Sequence, residues 1–353
     1  MKKLLVVLLA VLVVMAFANL KVALLINGTL GDKSFFDSAA RGIKMAEEKL
    51  GIDGKIIEMG YDQSAWRPTL EDIADQDYDV IIVGTWQMKE ILEDVAPMYP
   101  EKKFIIFDTS VDYSLGDLDN VYSILYKQNE GSFLVGALAA MITTSGMPKT
   151  NPQPIIGFLG GMDIPVINDF LVGYIEGAKY INPNIKIIIS YAGAFNDPAK
   201  GKELVLAQYR QGADISFNVA GETGIGLLEA AKEMDKWAIG VDSDQALAVE
   251  DQDPVKAQHI VTSMMKNVDL SIYRALKLTI EGKCPYGKAE ALGIAEKGVG
   301  IADNKYYRQI VPKKFRDKIK EIENLILEGK IKVDTVFGMS RKKLDELRNS
   351  VRP

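Results

Sequence analysis

Cysteine and histidine are nearly missing from this 353-residue chain, which has one of each, Cys284 and His259. A single cysteine excludes a disulfide within the chain. A zinc site built from His and Cys has too few ligands to draw on. A nucleophile–histidine–acid triad has one candidate base, and Cys284, beside Pro285, offers no base partner. A basic excess is missing too. There are 42 Lys and Arg against 48 Asp and Glu, a net charge of −6 and a pI near 5.2, which argues against a nucleic-acid surface. Past the N-terminus no apolar run is long enough to span a bilayer, which takes about 20 residues. The one long run, Leu4 to Ala18, follows Lys2 and Lys3, is itself short for a span, and ends in Ala16-Phe17-Ala18 before Asn19. That is the pattern of a cleavable signal peptide, residues 1–18. The mature protein is expected to be exported, periplasmic or secreted, and soluble, with no cysteine near the cleavage point to carry a lipid.

What is present is a regular alternation. Short apolar runs, Lys21–Ile26, Lys55–Met59, Val80–Val83 and Phe104–Phe107, read as strands, as does a second series, Ile155–Leu159, Ile185–Ser190, Ile215–Val219 and Trp237–Val241. They are rich in Ile and Val and nearly continuous in apolarity, as strands covered on both faces are. Helix-period segments such as Ser38–Leu50, Val166–Tyr180 and Lys200–Gln211 lie between them. Alternation of this kind implies parallel sheets flanked by helices, an α/β fold. The pattern occurs twice, so two Rossmann-like lobes are expected. Residues 19–127 and 260–290 are assigned to the first lobe, 128–259 and 291–338 to the second, and 339–353 to a loosely held charged tail. Three crossovers at these boundaries make a hinge, and a cleft between hinged lobes suits a small molecule.

Open α/β sheets bind ligands at the carboxyl ends of their strands. Those ends collect Gly31–Asp37, Asp108, Gly160–Asp163, Gly193–Asp197, Gly221–Gly224 and Asp242–Gln245. The set is acidic and glycine-rich. Aromatic residues are only 8% of the chain, yet Phe35 and Phe36 stand side by side in the turn after the first strand, and Phe195 lies in another strand-end loop. Phenylalanines can sandwich a flat ring while carboxylates take its hydrogen-bond donors. Ser34 with Asp37 resembles a weak capping box that opens a helix at Phe35. The glycines of AGETGIG are not in dinucleotide-binding order. Trp237 is read as core and His259 as structural.

The segments GDKSFFDSA, QNEGSFLVGALAA, AGAFNDPAKGKELV, VAGETGIGLLEAAKE, AIGVDSDQ and VTSMMKNVDLSIY, in this order, resemble the basic membrane protein (Bmp/PnrA-like) family of ABC-transporter solute-binding proteins. The resemblance runs from about Lys21 to Gly338. It implies a type I periplasmic-binding fold that closes on its ligand, a membrane permease as partner, and, as in several members, a purine nucleoside as ligand. It places Phe35 and Phe195 on the two faces of the base, Asp108 at the base edge, and Gly221, Asp242 and Lys266 near the ribose. Phe36 stands where the family usually has Asn; with Asp37 it completes the candidate ligand-binding set. That substitution gives riboflavin, or another flat heteroaromatic compound, a place as the alternative ligand. The expected protein is a monomeric binding protein with no cofactor, no metal and no nucleic-acid partner, and not an enzyme. The rival readings are a nucleoside-processing enzyme and a sensor that presents its ligand to a receptor.

Overall fold

The computed structural model describes residues 19–353, so the signal segment read at 1–18 lies outside the described residues. The first half forms β1 (Lys21–Ile26), β2 (Asp53–Glu58), β3 (Val80–Gly84), β4 (Lys103–Phe107) and β5 (Val121–Tyr126). Next come β6 (Ile155–Gly160), β7 (Lys186–Tyr191), β8 (Ile215–Val219), β9 (Trp237–Asp242) and β10 (Ile260–Lys266), then two short strands, β11 (Lys288–Leu292) and β12 (Val299–Ile301). They assemble into two six-stranded sheets, β11-β5-β4-β3-β1-β2 and β12-β10-β9-β8-β6-β7. Every pairing is parallel except β12 on β10. The apolar runs explain this: β3 is buried at all five positions and β9 at all six, as strands sandwiched between helix layers must be.

The chain passes between the sheets three times, and two of the passages differ from the expectation. The first follows β5, as expected near 127. The second was placed at 259, but β10 pairs with β9 in register Met265↔Asp242 and stays in the second sheet. The return to the first lobe comes after Lys266, where the helix Val268–Ile280 packs on the helix Phe35–Leu50. Gly42 there lies so close to the partner helix that a Cβ would sit 2.9 Å from the Asp269 carbonyl oxygen. The third passage was placed at 290, inside β11; it falls after Leu292 because Lys288–Leu292 pairs with Tyr122–Tyr126. Both errors have one cause: Thr262 and Ser263, and the charged residues of KAEAL, break the apolar signature of a strand whose pairing is nonetheless complete.

Beneath the second sheet, the helices Gln128–Thr143 and Pro165–Ile181 touch backbone to backbone. A Cβ on Gly173 would lie 2.1 Å from the Asn129 carbonyl oxygen, and one on Gly177 2.0 Å from that of Phe133. Bare glycines are the means of this approach. The C-terminal segment is not loose. Helix Arg341–Ser350 docks with Leu344 and Val351 buried, and the Val351 carbonyl accepts from the Ile187 N–H at 2.7 Å.

Candidate functional site

The carboxyl ends of both sheets face each other across a cleft of about 260 Å³. Several strand-end residues there adopt left-handed backbone: Thr85 after β3 (φ 71°), Asp108 after β4 (φ 66°) and Asp242 ending β9 (φ 61°). Such conformations are unfavourable for side chains with a Cβ and gather where a side chain has to be aimed. Phe35, Phe36, Asp108, Phe195, Gly221, Asp242 and Lys266 all line this cleft.

At its floor the two lobes meet through an ion pair. Lys266, the last residue of β10, donates from Nζ to Asp108 Oδ1 at 2.6 Å, and its side chain is only 2% exposed. The ammonium also sits 4.6 Å from the Phe170 ring centre, 5.4 Å from Tyr126 and 5.7 Å from Phe35. Aromatic faces stabilise a desolvated cation that water no longer reaches. Burial pushes the Asp108 carboxyl above its ordinary value, and the Lys266 charge and hydrogen bond oppose that push. The family resemblance implies that Lys266 and Asp242 both face the ribose. In the structure the partner of Lys266 is Asp108, and Asp242 Oδ2 instead accepts from Ser34 Oγ at 2.7 Å. Burial raises Asp242 to about 7; Lys266 and Ser34 pull it down, and the nearby Asp108 and Asp32 push it further up.

Ser34 holds the N-cap position of the helix, but its side chain makes a lobe-to-lobe contact and no capping bond. The cap comes from Asp32, buried, whose carboxylate accepts from the N–H groups of Ser34 (2.9 Å), Phe36 (2.9 Å) and Asp37 (3.2 Å). Desolvation raises Asp32, and these three backbone bonds offset part of the rise. Asp37, expected in the site, is absent from the residues lining the cleft. Its carboxylate folds the loop instead, accepting from Gly31 N at 2.8 Å and Lys33 N at 3.0 Å. Asp32 takes its place among the lining residues. The signal for the exchange was present: an Asp two residues ahead of a helix-opening Ser is well placed to accept from the first-turn N–H groups.

Both adjacent phenylalanines serve the cleft. The Phe35 ring lies 5.3 Å from Phe36, edge-on, and 5.4 Å from Phe107. Phe36 packs over Gly28, where a Cβ would meet its ring at 2.6 Å. On the opposite lobe Phe195 covers Gly161, whose missing Cβ would lie 2.3 Å from the ring. The sequence reading missed Asn27, whose Nδ2 donates to Thr85 Oγ1 at 2.8 Å. Its buried Oδ1 has no partner among the described residues. It also missed the rim pair Tyr61–Glu222, 3.2 Å across the lobes, and the half-exposed Trp86. Only Glu222 stands in a family-like segment, VAGETGIGLLEAAKE, and nothing there points to its partner Tyr61. His259 and Cys284 lie away from the cleft. His259 bonds the Val255 carbonyl and Asp235, as a structural histidine does. No group of three or more His, Cys, Asp or Glu suited to a metal ion occurs among the described residues, and no described helix is long and apolar enough to cross a membrane.

Two parallel-sheet lobes with three passages between them, closed on a cleft with aromatic walls and a charged floor, define a bilobal small-molecule-binding protein. The comparisons give the family. A model described as "ABC transporter substrate-binding protein PnrA-like" matches residues 19–334, and the chain belongs to that family. Basic membrane protein A of Borreliella burgdorferi is 33% identical over 314 residues, covering 86% of this chain and 84% of that protein. The CD4+ T-cell-stimulating antigen of Listeria innocua is 32% identical over 320 residues, 87% of this chain and 85% of its own. Among solved structures, an ABC-transporter solute-binding protein from Aeropyrum pernix K1 superposes with a TM-score of 0.80 at 28% identity, covering 93% of this chain and 97% of that one. The family consists of substrate-binding components of ABC transporters, which take up a small molecule for a membrane permease, and the type I periplasmic-binding fold is the observed one.

Proposed function

We propose that this protein binds a purine nucleoside between its lobes and delivers it to an ABC permease outside the cytoplasm. The observation that carries the reading is the pairing of aromatic walls from both lobes, Phe35 and Phe36 against Phe195, with a floor of Asp108, Lys266 and Asp242. A purine is flat and suits facing rings, and its edge and the ribose diol supply donors for carboxylates. Four lining carboxylates, Asp32, Asp108, Glu222 and Asp242, stand against one lining cation, Lys266, which is already paired. That balance favours an uncharged ligand over a phosphorylated one, because an anion would face uncompensated carboxylates. The Asn27 Oδ1 acceptor supplies a further position for a ligand donor. Binding, not turnover, suits the site, since its carboxylates are held by a cap, an ion pair and a serine and leave no nucleophile–base couple.

One observation favours the alternative ring system: Phe36 lines the cleft with carbon where an amide stands in the family pattern. Against riboflavin stands the size of the cleft, about 260 Å³, at the lower limit of ordinary ligand pockets, about 300–1,000 Å³. Mass spectrometry of the small molecules released when purified protein is denatured separates the two. A purine nucleoside is expected; a flavin would replace the assignment. Incubation with nucleosides is expected to release no free base, and accumulating base would make the protein an enzyme.

A further inference from the structure

The family match ends at residue 334, yet the chain beyond it reaches back to the wall of the cleft. Helix Arg341–Ser350 opens on Ser340, whose Oγ accepts from the Lys343 N–H at 3.3 Å. Its C-terminal end is tied at the first residues of β7: the Ile187 N–H donates to the Val351 carbonyl at 2.7 Å, and Lys186 Nζ to that of Arg352 at 2.8 Å. Between these anchors Arg348 turns inward, its side chain only 13% exposed. Its Nη2 lies 2.7 Å from Asp163 Oδ1, 2.7 Å from Asn168 Oδ1 and 2.8 Å from the Tyr191 hydroxyl, its two N–H groups shared among the three acceptors, and Nη1 lies 3.4 Å from Asp163 Oδ2. The guanidinium also lies over the Tyr191 ring, 5.4 Å from its centre.

Asp163 is the pivot. Its neighbours Met162 and Ile164 line the cleft, and its own carboxylate faces away to take Arg348 and the Asn168 amide, the latter at 2.8 Å. Burial pushes the Asp163 carboxyl up, but the hydrogen bonds from Arg348 and Asn168 and the nearby guanidinium charges outweigh it and leave it below its ordinary value. Tyr191 and Phe195 press on the two glycines that lead into the segment, Gly160 and Gly161, with missing-Cβ distances of 2.7 and 2.3 Å. The cleft wall at 160–164 is therefore a glycine-led loop with one side facing ligand and the other held by a planar, multiply bonded cation. Such a fork of donors fixes orientation as well as position.

We propose that the C-terminal tail is a working part of the binding site, with Arg348 as a positioning residue that holds the Met162–Ile164 wall in its ligand-ready shape. Arg348 does not line the cleft, so its effect on affinity passes through the residues it holds, Asp163 first, with Asn168 and Tyr191. The affinity part rests on the purine-nucleoside reading; the positioning part does not.

The test uses the full chain carrying Arg348→Ala, Arg348→Lys or Asp163→Asn. Amide hydrogen exchange is followed without ligand, and inosine, guanosine and adenosine are titrated by calorimetry. Exchange at 161–168 is expected to rise about tenfold or more in Arg348→Ala, the factor that loss of one charge-assisted bond brings, while β1, β3 and β4 keep wild-type protection. Nucleoside affinity is expected to fall by a similar factor, mainly through faster release. Arg348→Lys is expected to recover less than half of either effect, since one ammonium cannot reproduce the fork. Asp163→Asn, which keeps the tail sequence intact, is expected to loosen the same segment and guards against a general folding failure of the arginine variants. If exchange rises only within 341–353 and the cleft wall stays protected, the tail is an anchor and the proposal is overturned. If the wall loosens and nucleoside affinity is unchanged, the binding role is overturned. If wild-type protein takes none of the three nucleosides, the ligand assignment fails, and the exchange result alone decides the positioning role.

Discussion

Replacing Asp242 with Asn removes the cleft carboxylate that burial has raised from 3.8 to about 7, while keeping an acceptor for Ser34. In the unfolded chain this aspartate returns to about 3.9. Between about pH 4 and pH 7 the folded protein therefore keeps a proton that the unfolded chain has lost. The raised value contributes stability that is complete below pH 4 and is lost as the pH climbs through 7. A gap of about three units at about 1.4 kcal/mol per unit sets a ceiling near 4 kcal/mol. Opening of the lobes lets water reach the carboxylate for less, so about 1–3 kcal/mol is the expected reading, within the usual span of single substitutions. Urea unfolding of both proteins, followed by far-UV circular dichroism at intervals from pH 5 to 8.5, isolates the contribution, because every other titrating group is common to the two. The margin of Asp242→Asn over the wild type is expected to grow steadily from pH 5, where about a third of it is already present, to pH 8.5, where it is complete. A difference that stays the same at every pH would refute the reasoning, since Asp242 would then be an ordinary solvated carboxylate.

Lys266→Met leaves Asp108 buried without its counter-charge and is expected to lose about 3–5 kcal/mol; adding Asp108→Asn should recover most of it, and equal losses in the single and double variants would count against the ion pair. Gly161→Ala places a methyl group 2.3 Å from the Phe195 ring, so the ring is displaced and nucleoside affinity is expected to fall by about 1–3 kcal/mol, the worth of one stacked base. Phe195→Ala added to it should cost nothing further in calorimetry; an additive loss would mean that the effect of Gly161→Ala does not pass through the ring. Asp32→Ala deletes the cap of the helix Phe35–Leu50 and is expected to lower unfolding free energy by about 1–2 kcal/mol. Asp37→Asn is expected to leave nucleoside affinity unchanged, because that carboxylate bonds its own loop; a large affinity loss would return it to the site.

The fold was readable where strands announce themselves by unbroken Ile and Val. The bounds of β1 and β8 agree with the apolar runs residue for residue. β10 was not recognised as a strand because Thr262 and Ser263 look polar in isolation; in the fold both are buried and bonded, Thr262 Oγ1 donating to the Ala302 carbonyl at 2.7 Å. No local pattern reveals that pairing. The site was readable as a collection of strand ends, and seven of its eight candidates do line the cleft. Partnership was not readable. Whether Asp32 or Asp37 turns inward depends on which backbone N–H groups each reaches, and whether Lys266 meets Asp108 or Asp242 depends on how the two lobes close. Composition misled most at the C-terminus. A run rich in Arg and Lys reads as a solvated tail, while docking rests on two buried apolar residues, Leu344 and Val351, and one inward arginine.

Calorimetric titration of protein stripped of ligand by unfolding and refolding, with inosine, guanosine, adenosine and their 2′-deoxy forms, and with riboflavin in parallel, tests the ligand assignment most directly. At least one ribonucleoside is expected to bind one-to-one at about micromolar affinity or tighter, near −8 kcal/mol. Its 2′-deoxy form is expected to bind more weakly by about one hydrogen bond, 0.5–1.5 kcal/mol, and that difference should shrink in Asp242→Ala. Absence of heat with every nucleoside, alongside saturable binding of riboflavin, would contradict the assignment.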